Sequence, residues 1–477
     1  MTNVSKERFE VLKGKKIIFP VITEFSGDQT TPINIFYNLD GKYKFLLESA
    51  YIQDKGGRYS FIGENPVTTI KSNQNIINIS KDGEKEKTLE GKILDFISEY
   101  IKVDYENLEV DIPFVGGALG YIGYDIVRQF ETISSKNKKE INVPEAYLLL
   151  YKTVICYDHF KRTISIIYNV YPEDTNSYEE IIQKINDIYT KISKIPEIRD
   201  AGESKKEKDI KSNFNKEDFC LIVDKAKEYI NKGEVLQVVV SQRFATETDS
   251  DPFDVYRRLR TINPSPYLFY IDYEDFQIVG ASPESLVSVK ESKVTANPIA
   301  GTRRRGRTLE EDLALREELL NDPKERLEHD MLVELEKEDL SKICEEGSIE
   351  VERYMALENY SHVMHLVATV SGKLRNEFDS FDALRACFPA GTVSGAPRVK
   401  AMEIIEELEN VQREVYSGAV GYFSLNGNMD VCIAIRSIIF KDKKAYFQAG
   451  AGIVRDSKPE NEYKETLNKA KVLTEVI

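Results

Sequence analysis

An α+β fold is predicted by two patterns that recur along the 477 residues. Short apolar runs come in pairs joined by polar turns, as in YLLLYKTVICYD and TISIIYNVY within residues 147–171, and such pairs read as antiparallel strands. Helical stretches stand apart from those pairs, the amphipathic segment 177–195 being the clearest. A chain of this length buries a large core and suggests two or three domains. The polar, charged segment 199–212 (RDAGESKKEKDIKS) is the best linker, between an N-terminal region at 1–198 and a second region at 213–477.

Composition narrows the function. A net charge of −15 argues against a broad nucleic-acid or membrane-surface footprint. No apolar run reaches spanning length, and the N-terminus MTNVSKERFEVLKGKK lacks an apolar signal core. The cysteines at 156, 220, 344, 387 and 432 are scattered with no CxxC pair. They suggest reduced thiols in a cytoplasm, with neither a disulfide framework nor a zinc site.

Taken in order, residues 43–62 hold two strands around Gly56-Gly57, with Ser49 ending the run LLES. Residues 114–125 (FVGGALGYIGYD) are glycine-rich without the GxGxxG spacing, so close backbone packing explains them better than a dinucleotide. A helix at 215–232 precedes a strand at 234–244, in which Gln237 is embedded. Residues 264–284 give two strands joined by an acidic turn and end at Glu284, which could be a general acid or a loop charge. In PIAGTRRRG, Gly301-Thr302 could present backbone N–H groups to a carboxylate. One long charged helix is expected over 309–340, with Glu325 and Glu328 at i, i+3. A strand over 357–370 places His362 and His365 on opposite faces, which favours His365 acting alone. The loop 388–400 leads into a helix at 399–408, and Thr392 and Ser394 could bond an anion at its start.

The rest is organised around residues 416–469. Strands are expected at 418–425, 431–440 and 445–449, the first two joined by Asn426-Gly427-Asn428. Gly450-Ala451-Gly452 is expected to leave the sheet, and Asp456 or Ser457 to cap a helix opened by Pro459. Arg436 lies in the apolar run VCIAIRSIIF, where a buried guanidinium needs an anion. Glu462, Glu465 and Lys469 share one helix face, and paired carboxylates suit a hard cation such as Mg²⁺. A solvated helix face and a strand-edge arginine would read the same way.

Six motifs occur in order: PIAGT from Pro298, HVMH from His362, GTVSGAP from Gly391, GAVGY from Gly418, QAGAG from Gln448 and ETLNKA from Glu465. Together they resemble the chorismate-utilising enzymes, in particular the large subunits of anthranilate synthases, over nearly the whole chain. The resemblance implies two packed, largely antiparallel sheets with outer helices. It implies Mg²⁺ on Glu328 and Glu465, supported by Glu325 and Glu462. Substrate contacts would fall to Gly301, Thr302, Tyr416, Arg436, Gly450, Ala451, Gly452 and Lys469. Glu284 would be the general acid, His365 would assist proton movement, and Thr392 would lie beside the substrate. Gln237, where water-adding relatives carry lysine, and Ala300, where 4-amino-4-deoxychorismate makers carry lysine, both favour the anthranilate type. The resemblance further implies a separate glutamine amidotransferase subunit, and tryptophan inhibition through Ser49, Pro266, Tyr267 and Leu268.

Two departures stand out. Glu334-Leu335-Glu336-Lys337-Glu338-Asp339 replaces the family's Asp-Leu-Gly-Arg-Asn-Asp, adding negative charge and putting a local loop in doubt. Arg304 replaces a usual proline. The rival readings are an aminodeoxychorismate synthase and a catalytically weak tryptophan-binding regulator.

Overall fold

The computed structural model describes residues 2–50, 57–81, 83–108, 110–195, 200–202, 208–359 and 363–477. Gly56, His362, Arg199 and residues 203–207 of the expected linker lie outside the described residues, as do the side chains of Thr302 and Val363.

Among the described residues the strands form two sheets of twelve, and every pairing between named strands is antiparallel. Strands from both sides of the linker pair within each sheet. In the first, Phe45–Glu48 pairs with Tyr267–Asp272; in the second, Gly117–Ile122 pairs with Ala419–Ser424. The sequence division at 199–212 is therefore not a division between sheets.

Period-2 alternation explains the layering. Along Tyr267–Asp272, Leu268 and Tyr270 face outer helices, while Phe269 and Ile271 join a cluster with Phe114, Tyr121, Val420 and Ile439 from both sheets. The order is thus helices, sheet, shared apolar core, sheet, helices, the α+β arrangement of packed antiparallel sheets that was expected. No helix among the described residues is long and apolar enough to cross a membrane.

Four expected elements differ. The helix over 309–340 is two helices, Leu309–Asn321 and Pro323–Ser341. Pro323 cannot continue the first helix, and Asp322 caps the second by accepting from the Lys324 and Glu325 N–H groups. Residues 334–339 consequently lie inside a helix and not in a loop. The strand over 431–440 is broken: Met429–Ile433 belongs to the second sheet and Ser437–Lys441 to the first, with Arg436 at φ +51° between them. Gly450-Ala451-Gly452 stays in the sheet, inside Lys444–Ile453 and paired with Gln237–Glu247. The last helix, Pro459–Val476, starts after Lys458 with no side-chain cap, because the Ser457 hydroxyl accepts from the Val454 N–H instead.

Candidate active site

Two neighbouring strands change sheets side by side. Gln277–Ser282 runs through Pro283 and Glu284 into Ser285–Lys290, and Met429–Ile433 runs through Ala434, Ile435 and Arg436 into Ser437–Lys441. The crossings are laced together. The Ile433 N–H donates to the Glu284 carbonyl at 3.0 Å, and the Ala281 N–H to the Arg436 carbonyl at 3.1 Å. The Ser282 hydroxyl donates to the Ile433 carbonyl at 2.8 Å. A carboxylic acid and a guanidinium thus share one corner of the sandwich.

Arg436 lies deep in the molecule yet keeps part of its surface accessible, as a side chain lining a cleft does. Its Nη1 donates to the Lys469 carbonyl at 3.2 Å, and among the described residues it makes no ion pair. Burial lowers its pKa, opposed by Tyr416 and Glu465. Lys469 donates to the Gly450 carbonyl at 3.0 Å and pairs with Glu465 at 2.6 Å. A side chain at Gly450 would strike the Tyr416 hydroxyl and the Val240 carbonyl, and one at Gly452 would strike the Gln237 amide. Strand alternation turns Ala451 the other way, into the core under the Lys216–Asn231 and Arg398–Leu408 helices, so only its backbone can meet a ligand here.

Glu284 is buried, and burial pushes its carboxyl up to about 7. The Thr392 hydroxyl and the Ile299 N–H face it and pull the other way, as does the charge of Lys469. Thr392 sits in the short Gly391–Val393 turn, near enough to favour the carboxylate without closing a hydrogen bond. Ser394 is spent on structure, its hydroxyl donating to the Ala390 carbonyl at 2.7 Å. His365, on Val363–Lys373, is pushed down to about 4 by burial, partly offset by a hydrogen bond to the Gly301 carbonyl. It is therefore neutral near pH 7, with one ring nitrogen donating and the other able to accept. Gly301 sits at φ +61° where the pairing of Ile299–Arg304 with Val363–Lys373 slips by one residue. That left-handed bulge needs glycine, and it aims the carbonyl at the imidazole. Thr302 pairs with His365 through the backbone.

The four carboxylates divide into two kinds. Glu325 accepts from Arg303 at 3.0 Å, and Glu465 from Lys469. Glu328 and Glu462 make no ion pair among the described residues, and burial raises both. Glu328 accepts from the Gln237 amide at 3.1 Å. The Ser457 hydroxyl favours the charge on Glu462, while Lys324 and Lys469 favour both charges. Among the described residues no three His, Cys, Asp or Glu side chains converge as a ready ligand set. Mg²⁺ needs no such set: it binds through one or two carboxylates and keeps water on its other positions. Glu328, partly enclosed and without an ion pair among the described residues, fits that requirement, while Glu465 would have to exchange Lys469 for the ion.

The predicted tryptophan contacts are brought together elsewhere. Ser49, Pro266, Tyr267 and Leu268 line a cavity of about 920 Å³ between the sheets, which Asp430 and Cys432 also line. Tyr267 donates to Asp430 at 3.0 Å.

Sequence reasoning missed the scaffold behind the site. Arg413 is 2% exposed and fully engaged, with Glu409 at 2.7 Å and the Val393 and Val239 carbonyls at 2.7 and 2.8 Å. Its guanidinium lies 5.6 Å from the Tyr416 ring, so one cation holds the Thr392 turn, the Gln237–Glu247 strand and Tyr416 together. Its neighbourhood in sequence, ENVQREVY, reads as an ordinary solvated turn and carries no signal of burial.

Residues 47–475 match the family described as chorismate binding enzyme. Similar proteins include anthranilate synthase component 1 of Acetivibrio thermocellus, 44% identical across 96% of this chain and 95% of that protein. The Saccharomyces cerevisiae protein of the same name is 46% identical, over 91% of this chain and 85% of its own length. The crystal structure of anthranilate synthase component I from Streptococcus pneumoniae is 40% identical, with a TM-score of 0.80, covering 94% of this chain and 98% of that one. An Escherichia coli menaquinone-specific isochorismate synthase reaches 0.73 over 98% of each chain at 19% identity, a likeness of fold.

Proposed function

The chain belongs to the chorismate-binding enzymes, and from that premise we propose that it makes anthranilate, pyruvate and water from chorismate and ammonia. The observation that carries the reading is the strand corner, whose two crossings carry a deep guanidinium without an ion pair among the described residues and a carboxyl that burial pushes up to about 7. Chorismate is a dianion, and a buried cation is stabilised by one. Arg436, the 450–452 backbone and Tyr416 would take one carboxylate. Mg²⁺ held by Glu328 and Glu465, with Glu325 and Glu462 supporting, would supply charge neutralisation at the other.

The acid comes from Glu284. With its carboxyl near 7, a proton is available at neutral pH for the departing 4-hydroxyl as ammonia adds at ring carbon 2. The hydroxyl leaves as water. Neutral His365, its donor position held by Gly301, assists proton movement as pyruvate is eliminated and the ring becomes aromatic. Thr392 would steady Glu284 against the substrate. Gln237 supplies an amide where activation of water would need a base, which suits ammonia as nucleophile. Ala300 offers no side-chain nucleophile.

We further infer that ammonia is delivered by a glutamine amidotransferase subunit, in keeping with the component 1 name of the relatives. Tryptophan would bind between the sheets at Ser49, Pro266, Tyr267 and Leu268 and inhibit the reaction. Two connections to the strand corner support this reading. Tyr267 pairs with Ser282, two residues before Glu284, and Asp430 lies on the strand that leads to Arg436.

The test is the purified chain with chorismate, Mg²⁺ and excess ammonium at alkaline pH, followed by anthranilate fluorescence. Anthranilate that vanishes with Glu465→Gln and is suppressed by tryptophan is the expected result. A 4-amino product would move the reading to aminodeoxychorismate synthesis. Tryptophan binding without chorismate consumption would overturn it in favour of a regulator.

A further inference from the structure

Four carboxyls of the cleft answer to one ammonium. Lys469 Nζ lies 2.6 Å from Glu465, and its charge favours ionisation of Glu284, Glu328 and Glu462. These come from the strand crossing and from both acidic helices, Pro323–Ser341 and Pro459–Val476. A resident cation thus already serves the carboxylates that a divalent ion would bind.

Its two holds differ in kind. Glu465 and Lys469 stand at i, i+4 on one helix and are 46% and 35% exposed, and such a pair is weak and opens easily. The second hold, on the Gly450 carbonyl at 3.0 Å, ties the ammonium to Lys444–Ile453. Gly450 lies beside the Tyr416 hydroxyl, and Arg436 donates to the carbonyl of Lys469 itself at 3.2 Å. An ammonium released by Glu465 therefore stays tethered among the groups read as substrate contacts. Arg303, the cation on Glu325, is not exchangeable in this way: Glu318 at 2.9 Å, Asp322 at 2.7 Å and Glu325 at 3.0 Å hold it together.

Resting on the reading of Glu465 as a metal ligand and of Lys469 as a substrate contact, we propose that Lys469 is a counter-ion handed from one ligand to the other: the divalent cation displaces it from Glu465, and the freed ammonium turns to a carboxylate of chorismate. An ammonium and a metal ion repel each other, so they do not share one carboxylate without cost. The cation removes the pair that chorismate would have to break, and chorismate gives the displaced ammonium a new partner. By linkage, the factor that the cation adds to chorismate affinity is the factor that chorismate adds to cation affinity.

The experiment counts free Mn²⁺, in place of Mg²⁺, by electron paramagnetic resonance as it is titrated into the full chain without ammonia. With chorismate absent, Lys469→Met is expected to bind Mn²⁺ about tenfold tighter than the parent, because the competing charge is gone. Added chorismate should tighten Mn²⁺ binding to the parent, and tighten it less in the variant. Lys469→Arg, which keeps the charge, should stay within about threefold of the parent, and a gain there as large as that of Lys469→Met overturns the proposal. Equal or weaker Mn²⁺ binding by folded Lys469→Met overturns it too, as does a chorismate effect that the variant keeps in full. Should Lys469→Met fail to fold, Lys469→Gln, whose amide can still donate to the Gly450 carbonyl, carries the same expectations. Glu465→Gln separates the two ideas, since unchanged Mn²⁺ affinity there sinks the reading of Glu465 as a ligand.

Discussion

At the scale of single residues, the cleft trades stability for reactivity. Glu284 ionises near 7 in the folded protein and near 4.5 as an unperturbed side chain, so the folded state binds the proton more tightly. Its contribution to stability is present below about 4.5 and is lost as pH rises through about 7. Glu284→Gln removes that loss. Between pH 4 and pH 8 the variant should gain about 3 kcal/mol on the parent in chemical denaturation, while kcat falls by about 10²–10⁴. Arg436 was legible in the sequence as a cation in an apolar run, because a guanidinium there breaks the pattern. Its left-handed backbone was not legible, since no turn residue marks it and the conformation is imposed by the change of sheet. Arg413 and Glu336 were missed for a related reason: charged residues in charged surroundings give no hint of burial, which only the packing of distant elements decides.

At the scale of elements, the hairpin at Asn426-Gly427-Asn428 and the helices at Tyr178–Ile192 and Lys216–Asn231 follow their local signals closely. Errors arose where local and tertiary preferences disagree. Gly450-Ala451-Gly452 reads as a loop because glycine weakens strands, yet the strand continues because Tyr416 and Gln237 occupy the space side chains would fill. The cap at Asp322 has two duties, holding the first turn of Pro323–Ser341 and accepting from Arg303 at 2.7 Å. Asp322→Ala should cost about 1 kcal/mol of unfolding free energy. It should also weaken activation by Mg²⁺, because the turn it fixes carries Glu325 and leads directly into Glu328; a titration of rate against Mg²⁺ measures that directly.

At the scale of the whole molecule, the two sheets share one apolar core, and both proposed ligand sites draw on the strands that cross between them. The strand Met429–Ile433 lines the cavity containing Ser49 and leads on to Arg436, which would give the proposed inhibition a path along one backbone. Ser49→Ala should raise the tryptophan concentration for half-inhibition about tenfold, the cost of one hydrogen bond to a charged group, without changing the uninhibited rate. An equal fall in the uninhibited rate would place Ser49 in the catalytic machinery instead.

The longest pairing of Gln237–Glu247 in the first sheet is with Lys444–Ile453, made roughly two hundred residues later. During synthesis the earlier strand leaves the ribosome with one edge open, carrying the apolar run Val238, Val239 and Val240. Such an edge can pair with any other strand in the cell. The nascent chain is thus most exposed to aggregation while the segment between those strands is being made, and shielding by chaperones in that interval would set how much protein reaches the native state.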